Sequence, residues 1–209
     1  MPLRGGDMAT EYCTLAEVRA YGKFKTAETN DDALLEDLIT RVSALFDNKC
    51  GRVIVANADA THYFTQDDIA DCETDGGIKI GDLVLDDTLV AITTLTNGDG
   101  TAIAGTEYFL MPRAYERKSY IRIKEASTVS WEFDTDGYIA VAGRWAYAAS
   151  APEDVKQAVI ESVLYTYHRR GDNFMQTDKP QQSMDGTRFM PIAWTQFAKE
   201  VIEHYRKRV

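Results

Sequence analysis

The spacing of apolar residues divides the chain into helical ends and a strand-rich middle. Apolar positions recur every three or four residues in 31–51, 151–170 and 192–206, which predicts amphipathic helices. Between residues 52 and 147 the period shortens toward two, and turn residues separate short apolar runs. The pattern predicts an α+β fold, in which 11–52 and 151–209 form a small helical bundle and 53–150 form an inserted antiparallel β unit.

The segment 151–170 has the clearest helix start and stop signals. Pro152 suits the first helical position, acidic residues follow it, and two arginines precede Gly171. Small and apolar residues share one stripe, which predicts a face for close packing. The stripe consists of Val155, Ala158, Val159, Ser162, Val163 and Thr166.

Two helices are expected before residue 52 and one at the far end. Thr14 and Glu17 form a capping box that opens a short helix ending at Gly22, and Asn30 or Asp31 caps a longer one. Gly51 is expected to be its left-handed C-cap. The long helix has an apolar stripe ending in Cys50: Leu34, Leu35, Leu38, Ile39, Val42, Leu45 and Phe46. The last helix opens near Trp194, with a stripe of Ile192, Phe197, Ala198, Val201, Ile202 and Tyr205.

The middle of the chain contains nine runs that favour strands. They are VIVA (53–56), THYF (61–64), IKI (78–80), LVL (83–85), LVAITTL (89–95), EYFLM (107–111), YIRI (120–123), VSWEF (129–133) and YIAVAGRW (138–145). Residues 97–100 (NGDG) and 134–137 (DTDG) are typical hairpin turns. The unit is expected to be a sandwich or an open barrel.

Two segments predict no regular structure. Residues 1–10 are expected to be a flexible lead-in. Residues 171–191 form a long polar connection with scattered aromatic and methionine side chains, which favours a loop that orders against a partner.

The net charge of −10 is concentrated in the middle of the chain. Residues 1–52 carry −2, residues 53–150 carry −9, and residues 151–209 carry +1. This distribution lacks the basic footprint of a nucleic-acid-binding domain. The chain contains no run of eighteen apolar residues, so we expect no membrane span. The opening MPLRGGDMAT lacks an apolar stretch, so we expect no secretory signal. Three widely spaced cysteines indicate reduced thiols.

No catalytic constellation or cofactor motif is recognisable, so we expect no enzymatic activity and no cofactor. His62, His168 and His204 have no metal or triad spacing, and we expect Trp131 and Trp145 to pack the β core. A weak calcium-loop pattern comprises Asp71, Glu73, Asp75 and Asp82. It lacks the final bidentate Glu and flanking helices, so an acidic turn is the preferred interpretation.

Taken together, the motifs resemble a family of virion proteins. TLAEVRAY followed by DDALLEDLITRVSALFDNKCGR is similar to the N-terminal helices of bacteriophage head-to-tail connector (adaptor) proteins, and PEDVKQAVIESVLYTYHRR is similar to their central helix. The run LVLDDTLVAITTLTNGDGTAIAGTEYFLMP and the later GYIAVAGRW resemble the long form with a β insertion. The resemblance covers roughly residues 12–170 and, more loosely, the final helix.

The resemblance implies a homo-oligomeric ring, generally of twelve copies, beneath the portal. Such a ring extends the DNA channel without binding the genome specifically, and it offers a docking surface to the next connector or tail protein. It implies a structural protein of the virion, synthesised in the bacterial host cytoplasm, with no membrane partner. Candidate interface residues are Tyr165, Tyr167, His168, Phe174, Met175, Phe189, Met190, Trp194, Phe197, Arg206, Lys207 and Arg208.

Other classes of protein remain open at this stage. A tail-completion or tail-terminator ring would contact the tail tube instead of the portal. A carbohydrate-active enzyme would need clustered carboxylates on one face with exposed aromatic residues, and Asp86, Asp87 and Glu107 are the carboxylates considered for it. A calcium- or carbohydrate-binding β module is the remaining alternative.

Overall fold

The computed structural model describes residues 10–27, 29–74, 76–133, 138–169, 181–182, 188–189 and 194–207. The chain forms two compact units, one of Met1–Arg52 with Ala151–Val209 and the other of Val53–Ser150. The first holds the α-helices and the second holds a five-stranded sheet. The predicted α+β class is therefore confirmed. The lead-in over residues 1–9 lies outside the described residues.

The helical unit is built from α1 (Leu15–Tyr21), α2 (Asp32–Cys50), α3 (Glu153–Arg169) and α4 (Gln196–Tyr205). Helix α3 packs against the other three helices, and α2 also packs against α1 and α4. The buried stripe of α3 contains all six residues predicted for it. Its two hydroxyls are satisfied within the helix, because Ser162 donates to the carbonyl of Ala158 and Thr166 donates to that of Ser162, each at 2.7 Å.

The helix boundaries follow the capping chemistry. The Thr14–Glu17 capping box is present, and Gly22 is the C-cap of α1. Gly51 adopts φ +67° at the end of α2, as predicted. Asp31 occupies the N-cap position of α2, although its side chain makes no capping hydrogen bond.

Two helix starts differ from the prediction. Helix α3 begins at Glu153, and the carbonyl of Pro152 accepts from the amide of Lys156 at 3.0 Å. Trp194 was expected to open α4, which is wrong, because the Thr195 side chain caps the helix by accepting from the amide of Ala198 at 3.1 Å. Trp194 therefore precedes the cap.

The β unit contains β1 (Ala60–Phe64), β2 (Leu83–Thr96), β3 (Tyr108–Met111), β4 (Lys118–Ile123) and β5 (Ile139–Trp145), and a 3₁₀ turn follows β1 (Gln66–Asp68). The strands form one antiparallel sheet in the order β1-β5-β2-β4-β3. The predicted runs LVL and LVAITTL are a single strand of 14 residues. Its first part pairs with β4 and its second with β5, with register shifts between. The described strands of this unit form one sheet, so a two-sheet sandwich is wrong.

Three predicted strands are absent from the described part of the unit. Residues 53–56 are not assigned to a strand, and the carbonyls of Val53 and Ile54 accept from the amides of Tyr147 and Ala148. Residues 78–80 lie in a turn before Gly81, whose φ is +88°. Residues 129–133 form no strand, and they are held by the side chain of Asn97 and by the amide of Gly98, which donates to the carbonyl of Glu132 at 2.9 Å. The Asn97 amide group donates to the Ser130 carbonyl at 2.9 Å and accepts from the Glu132 amide at 3.0 Å.

The turn at 97–100 is confirmed. The amide of Gly100 donates to the carbonyl of Asn97 at 2.9 Å, and Thr96 then bridges Ala102. Residues 134–137 lie outside the described residues. Within the predicted loop 171–191, only β6 (Gln181–Gln182) and β7 (Arg188–Phe189) are described, and they pair antiparallel.

The core of the β unit is formed mainly by buried residues of the five strands. Trp145 belongs to this core, and Trp131 packs against it, as predicted. The indole of Trp131 donates to the carbonyl of Gly81 at 2.8 Å, and that of Trp145 donates to the carbonyl of Ala60 at 2.9 Å. Other core residues are Phe64, Leu83, Leu85, Leu89, Leu95, Ile103, Tyr108, Ile121, Ile139 and Val141.

Candidate interface surfaces

The described residues include seven of the twelve interface candidates with their side chains. Phe174, Met175, Met190 and Arg208 lie outside the described residues, and Phe189 is described only as part of β7. The other seven divide into side chains that hold the helical unit together and side chains that face solvent.

Tyr167 is an internal contact. Its hydroxyl donates to Oδ2 of Asp31 at 2.6 Å, and its ring meets Phe24 edge-on at 5.5 Å between centroids. It therefore links the end of α3 to the start of α2. His168 is exposed, with its ring 5.5 Å from that of Tyr167.

The candidates around α4 also contact the helical unit. Trp194 is half-buried against Phe46, with ring centroids 6.1 Å apart. The backbone amide of Lys207 donates to the carbonyl of Cys50 at 2.8 Å. Arg206 is exposed and pairs with Glu203 on the same helix at 3.0 Å. Trp194 and Lys207 therefore fix the two ends of α4.

Three aromatic side chains on three helices face solvent. Tyr165 is 47% exposed and Phe197 is 39% exposed. Tyr21, which the sequence analysis did not select, is 50% exposed. The helical spacing of Leu15, Val18 and Tyr21 predicts a core residue at position 21, so it does not indicate that Tyr21 is exposed.

Glu161 on α3 connects these helices through polar contacts. Its carboxylate accepts from the hydroxyl of Tyr21 at 3.3 Å, from the Gln157 amide at 2.8 Å and from the Thr195 hydroxyl at 3.3 Å. Tyr165 lies one helical turn beyond Glu161. The carboxylate of Glu161 therefore lies near two exposed tyrosines, Tyr21 and Tyr165. Tyrosine side chains combine an apolar ring with a polar hydroxyl, which suits them to protein contact.

The β unit has its own exposed aromatic pair beside the edge strand β1. Tyr63 is 62% exposed and Tyr138 is 51% exposed, and their rings meet edge-on with centroids 6.1 Å apart. In the sequence, Tyr63 stands out only as part of the strand-like run 61–64. Alternation alone could have placed Tyr63 on the face opposite Phe64, but not at a sheet edge.

The other edge strand, β3, presents a cationic surface. Phe109 is half-buried, with the guanidinium carbon of Arg113 3.6 Å and the ammonium of Lys124 4.7 Å from its ring centroid. Close by in sequence, the guanidinium carbon of Arg117 lies 4.0 Å from the ring centroid of Tyr147. This group contrasts with the acidic character of the unit as a whole.

The three described calcium-loop candidates, Asp71, Glu73 and Asp82, are not grouped as metal ligands. Asp82 is buried. Its carboxylate accepts hydrogen bonds from Nε of Arg122 at 2.8 Å and from a terminal nitrogen of the same guanidinium at 2.6 Å. The hydrogen bond to Asp82 raises the pKa of Arg122. Asp71 and Glu73 are exposed, and Asp75 lies outside the described residues. Among the described residues, no group of three His, Cys, Asp or Glu side chains could hold a metal ion.

The carboxylates considered for an enzyme are not brought together in a cavity. Asp86 contacts His62, whose Nδ1 lies 2.8 Å away and whose ring stacks on Trp145 at 3.9 Å. Asp87 accepts from the amide of Thr88 at 2.7 Å. Glu107 lines an open cavity of about 440 Å³ to which neither Asp86 nor Asp87 contributes.

The cysteines are free thiols, two of them in the helical core. Burial raises the pKa of Cys13 and of Cys50 to about 12 each, so both remain protonated and unreactive. Cys50 is confirmed as a core residue of α2. Cys72 is exposed.

Within the described residues, none of the helices combines the length and apolar character needed to span a lipid bilayer.

Comparison with known proteins identifies the fold. Neither a protein-family model nor a curated protein matches the chain. A chain in the neck of an empty GTA particle, computed with C6 symmetry, is 19% identical with a TM-score of 0.57, over 98% of this chain and 96% of that one. A chain in the neck of the native GTA particle, computed with C12 symmetry, is 18% identical with a TM-score of 0.54, over 98% and 96%. A chain of the virion of the native gene transfer agent (GTA) particle is 18% identical with a TM-score of 0.52, over 95% and 91%. At this identity the likeness establishes a shared fold over nearly the whole chain.

Proposed function

We propose that the protein is a structural component of the head–tail joint of a phage-like particle. Copies of the chain form a ring beneath the portal, extend the DNA channel and provide the docking surface for the next connector or tail protein. The protein carries out no reaction.

The observation that carries this proposal is the end-to-end likeness to chains of gene transfer agent particles. The likeness spans both the helical unit and the β unit, since it covers 98% of this chain in two structures of the neck. Those structures were computed with C6 and C12 symmetry, which supports a closed ring of twelve copies for this chain. In such a ring each subunit contacts its neighbours through two different surfaces.

The charge distribution supports a position beside DNA without specific binding. The β unit carries −9, and a wall of like charge repels the phosphate backbone at close range. The genome can then pass without being held, whereas a basic wall would bind it through the release of counterions.

The exposed aromatic residues of the helical unit support a protein-docking role. Tyr165, Phe197 and Tyr21 remain outside the core, and aromatic side chains are enriched at the centres of protein interfaces. We assign this surface to contact with the portal.

Electron microscopy of the purified chain mixed with its portal tests the proposal. Twelvefold density below the portal is the expected result. Affinity capture on immobilised portal and on immobilised tail-tube protein provides the control for a tail-terminator role. Capture by the tail tube alone would overturn the assignment.

A further inference from the structure

Two stretches of the β unit carry opposite charge. Residues 53–78 contain six acidic residues and no lysine or arginine, whereas residues 108–124 contain five basic residues and one acidic residue. The first stretch includes edge strand β1 and the second includes edge strand β3. The net charge of the unit therefore conceals a strong internal separation.

Arg122 in the second stretch is neutralised by Asp82, but two other cations on the β3 side have no ion pair within the described part of the chain. Arg113 and Lys124 lie on the ring of Phe109, and Lys124 also donates to the carbonyl of Thr106. Neither has a described carboxylate within ion-pair distance. We call Phe109, Arg113 and Lys124 the basic edge.

The acids after β1 are similarly without ion pairs to described residues. Asp67, Asp71 and Glu73 are exposed, and none of them forms a salt bridge with a described lysine or arginine. Asp82, by contrast, is buried with Arg122 and does not contribute. We call Asp67, Asp71 and Glu73 the acidic segment.

Unpaired charges of both signs on one unit favour contact between copies. A ring uses heterologous contacts, in which one patch of a subunit meets a different patch of the next. An edge strand also offers unpaired backbone groups, which would add hydrogen bonds to the attraction between charges. DNA is a poorer occupant of the basic edge, because the acidic residues of the same unit would repel it.

We propose that the basic edge of one copy binds the acidic segment of a second copy, and that this contact joins neighbouring subunits. The inference rests on the proposed ring assembly. Phe109 supplies the apolar centre, and Arg113 and Lys124 supply the charge that selects the partner. The contact is weakened by salt, because the charges are exposed.

Charge reversal on the full chain tests the contact. The variant Arg113→Glu/Lys124→Glu and the variant Asp71→Lys/Glu73→Lys should each self-associate roughly tenfold or more weakly than wild type, because like charges then face each other. The two variants mixed in equal amounts should associate again, since every contact in an alternating array regains opposite charges. A fourfold variant carrying all four reversals should associate by itself.

The measurement is sedimentation velocity at low and high salt, with circular dichroism to verify folding. The control Lys49→Glu/Lys199→Glu makes the same change in net charge as Arg113→Glu/Lys124→Glu, but at exposed positions of the helical unit. It should leave association unchanged. A short DNA duplex, followed by fluorescence anisotropy, tests the competing occupant of the basic edge.

Several outcomes would overturn the inference. These are wild-type association that survives either reversal, failure of the mixture to associate, a monomeric wild type at low salt, or DNA binding that depends on Arg113 and Lys124. The first would leave the ring proposal intact, because another surface could join the subunits. Failure to bind the portal, with the charge-reversal pattern as expected, would refute the proposed function without refuting this contact.

Discussion

The hydroxyl of Tyr167 lies 2.6 Å from Oδ2 of Asp31, a residue 136 positions away in sequence. The contact ties the last turn of α3 to the N-cap position of α2. Asp31 occupies the N-cap position of α2, but its side chain makes no capping hydrogen bond. Its carboxylate accepts a hydrogen bond from Tyr167 on another helix. Tyr167 therefore helps to hold α3 against the start of α2.

Removing this hydroxyl should destabilise the helical unit without altering partner contact. We expect Tyr167→Phe to lower the free energy of unfolding by about 1–2 kcal/mol, because a hydrogen bond to a carboxylate is lost at a half-buried site. Urea denaturation measures the change. Tyr165→Phe is the matched control on the same helix, and it should be neutral because Tyr165 is 47% exposed. Equal effects of the two substitutions would contradict the assignment.

The helices were predictable because their signals are local. Capping residues and the 3.6-residue period lie within one segment, so the box at Thr14 and the C-cap at Gly51 could be identified directly. The role of Tyr167 could not, since its partner lies in another helix. Periodicity gives the face of a helix but not the residue that covers it.

The buried ion pair of the β unit should contribute strongly to its stability. Asp82 is 2% exposed, and two nitrogens of Arg122 reach its two carboxylate oxygens. Arg122→Met would leave a buried carboxylate without its cation, which should destabilise the unit by about 3 kcal/mol. Thermal and urea unfolding measure the loss. The control Arg117→Met removes an exposed guanidinium and should change stability by less than about 0.5 kcal/mol; similar losses in both would refute this role for the pair.

Gly143 is required where two strands approach closely. A Cβ added there would contact the carbonyl oxygen of Ala91 and lie 3.0 Å from Cα of Ile92 on the neighbouring strand. We expect Gly143→Ala to destabilise the unit by about 2 kcal/mol or more, since backbone atoms must move apart. In Gly105→Ala the nearest atom would be 3.9 Å away, so that control should be nearly neutral. Unfolding curves that do not separate the two variants would contradict the proposed packing.

The strands were less predictable than the helices because apolar runs do not specify their hydrogen-bond partners. Residues 129–133 have strand composition, yet the amide of Glu132 donates to the side chain of Asn97. The polar residues Asp86 and Asp87 made the runs 83–85 and 89–95 look like two strands. The single strand β2 contains both aspartates, at a fully and a partly exposed position. The candidate surfaces show the same limit, since the cations around Phe109 come from the loop after β3 and from Lys124, which directly follows β4.

The capping box of α1 gives a pH-dependent contribution to stability. Hydrogen bonds from Thr14, the backbone amide first, lower the pKa of Glu17 below its ordinary value of 4.5. The ionised carboxylate is therefore favoured by folding, and its contribution is present above that ordinary pKa and is lost as the pH falls through the lower, folded value. Thr14→Ala should cost about 1 kcal/mol at neutral pH.

Glu17→Gln isolates the titrating group in that prediction. Because it removes the carboxylate, the variant should lose less stability than wild type between neutral pH and acidic pH. Chemical denaturation at a series of pH values measures the difference. Parallel curves for wild type and Glu17→Gln would show that Glu17 does not carry the effect.

Portal docking should depend on the exposed aromatic residues of the helical unit and not on Trp194 or Tyr167, which pack inside it. Tyr165→Ala with Phe197→Ala removes two partly exposed rings, so the chain should keep its melting temperature while its affinity for portal falls roughly tenfold or more, the effect expected of interface hot spots. Substitution is more informative than deletion of α4, because the helix also buries Ala198, Val201, Ile202 and Tyr205. Affinity capture on immobilised portal measures the loss, and Tyr63→Ala with Tyr138→Ala removes a similar exposed pair from the β unit as a control. If only the control weakened capture, portal docking would belong to the β unit, because the two pairs differ in position but not in chemical character.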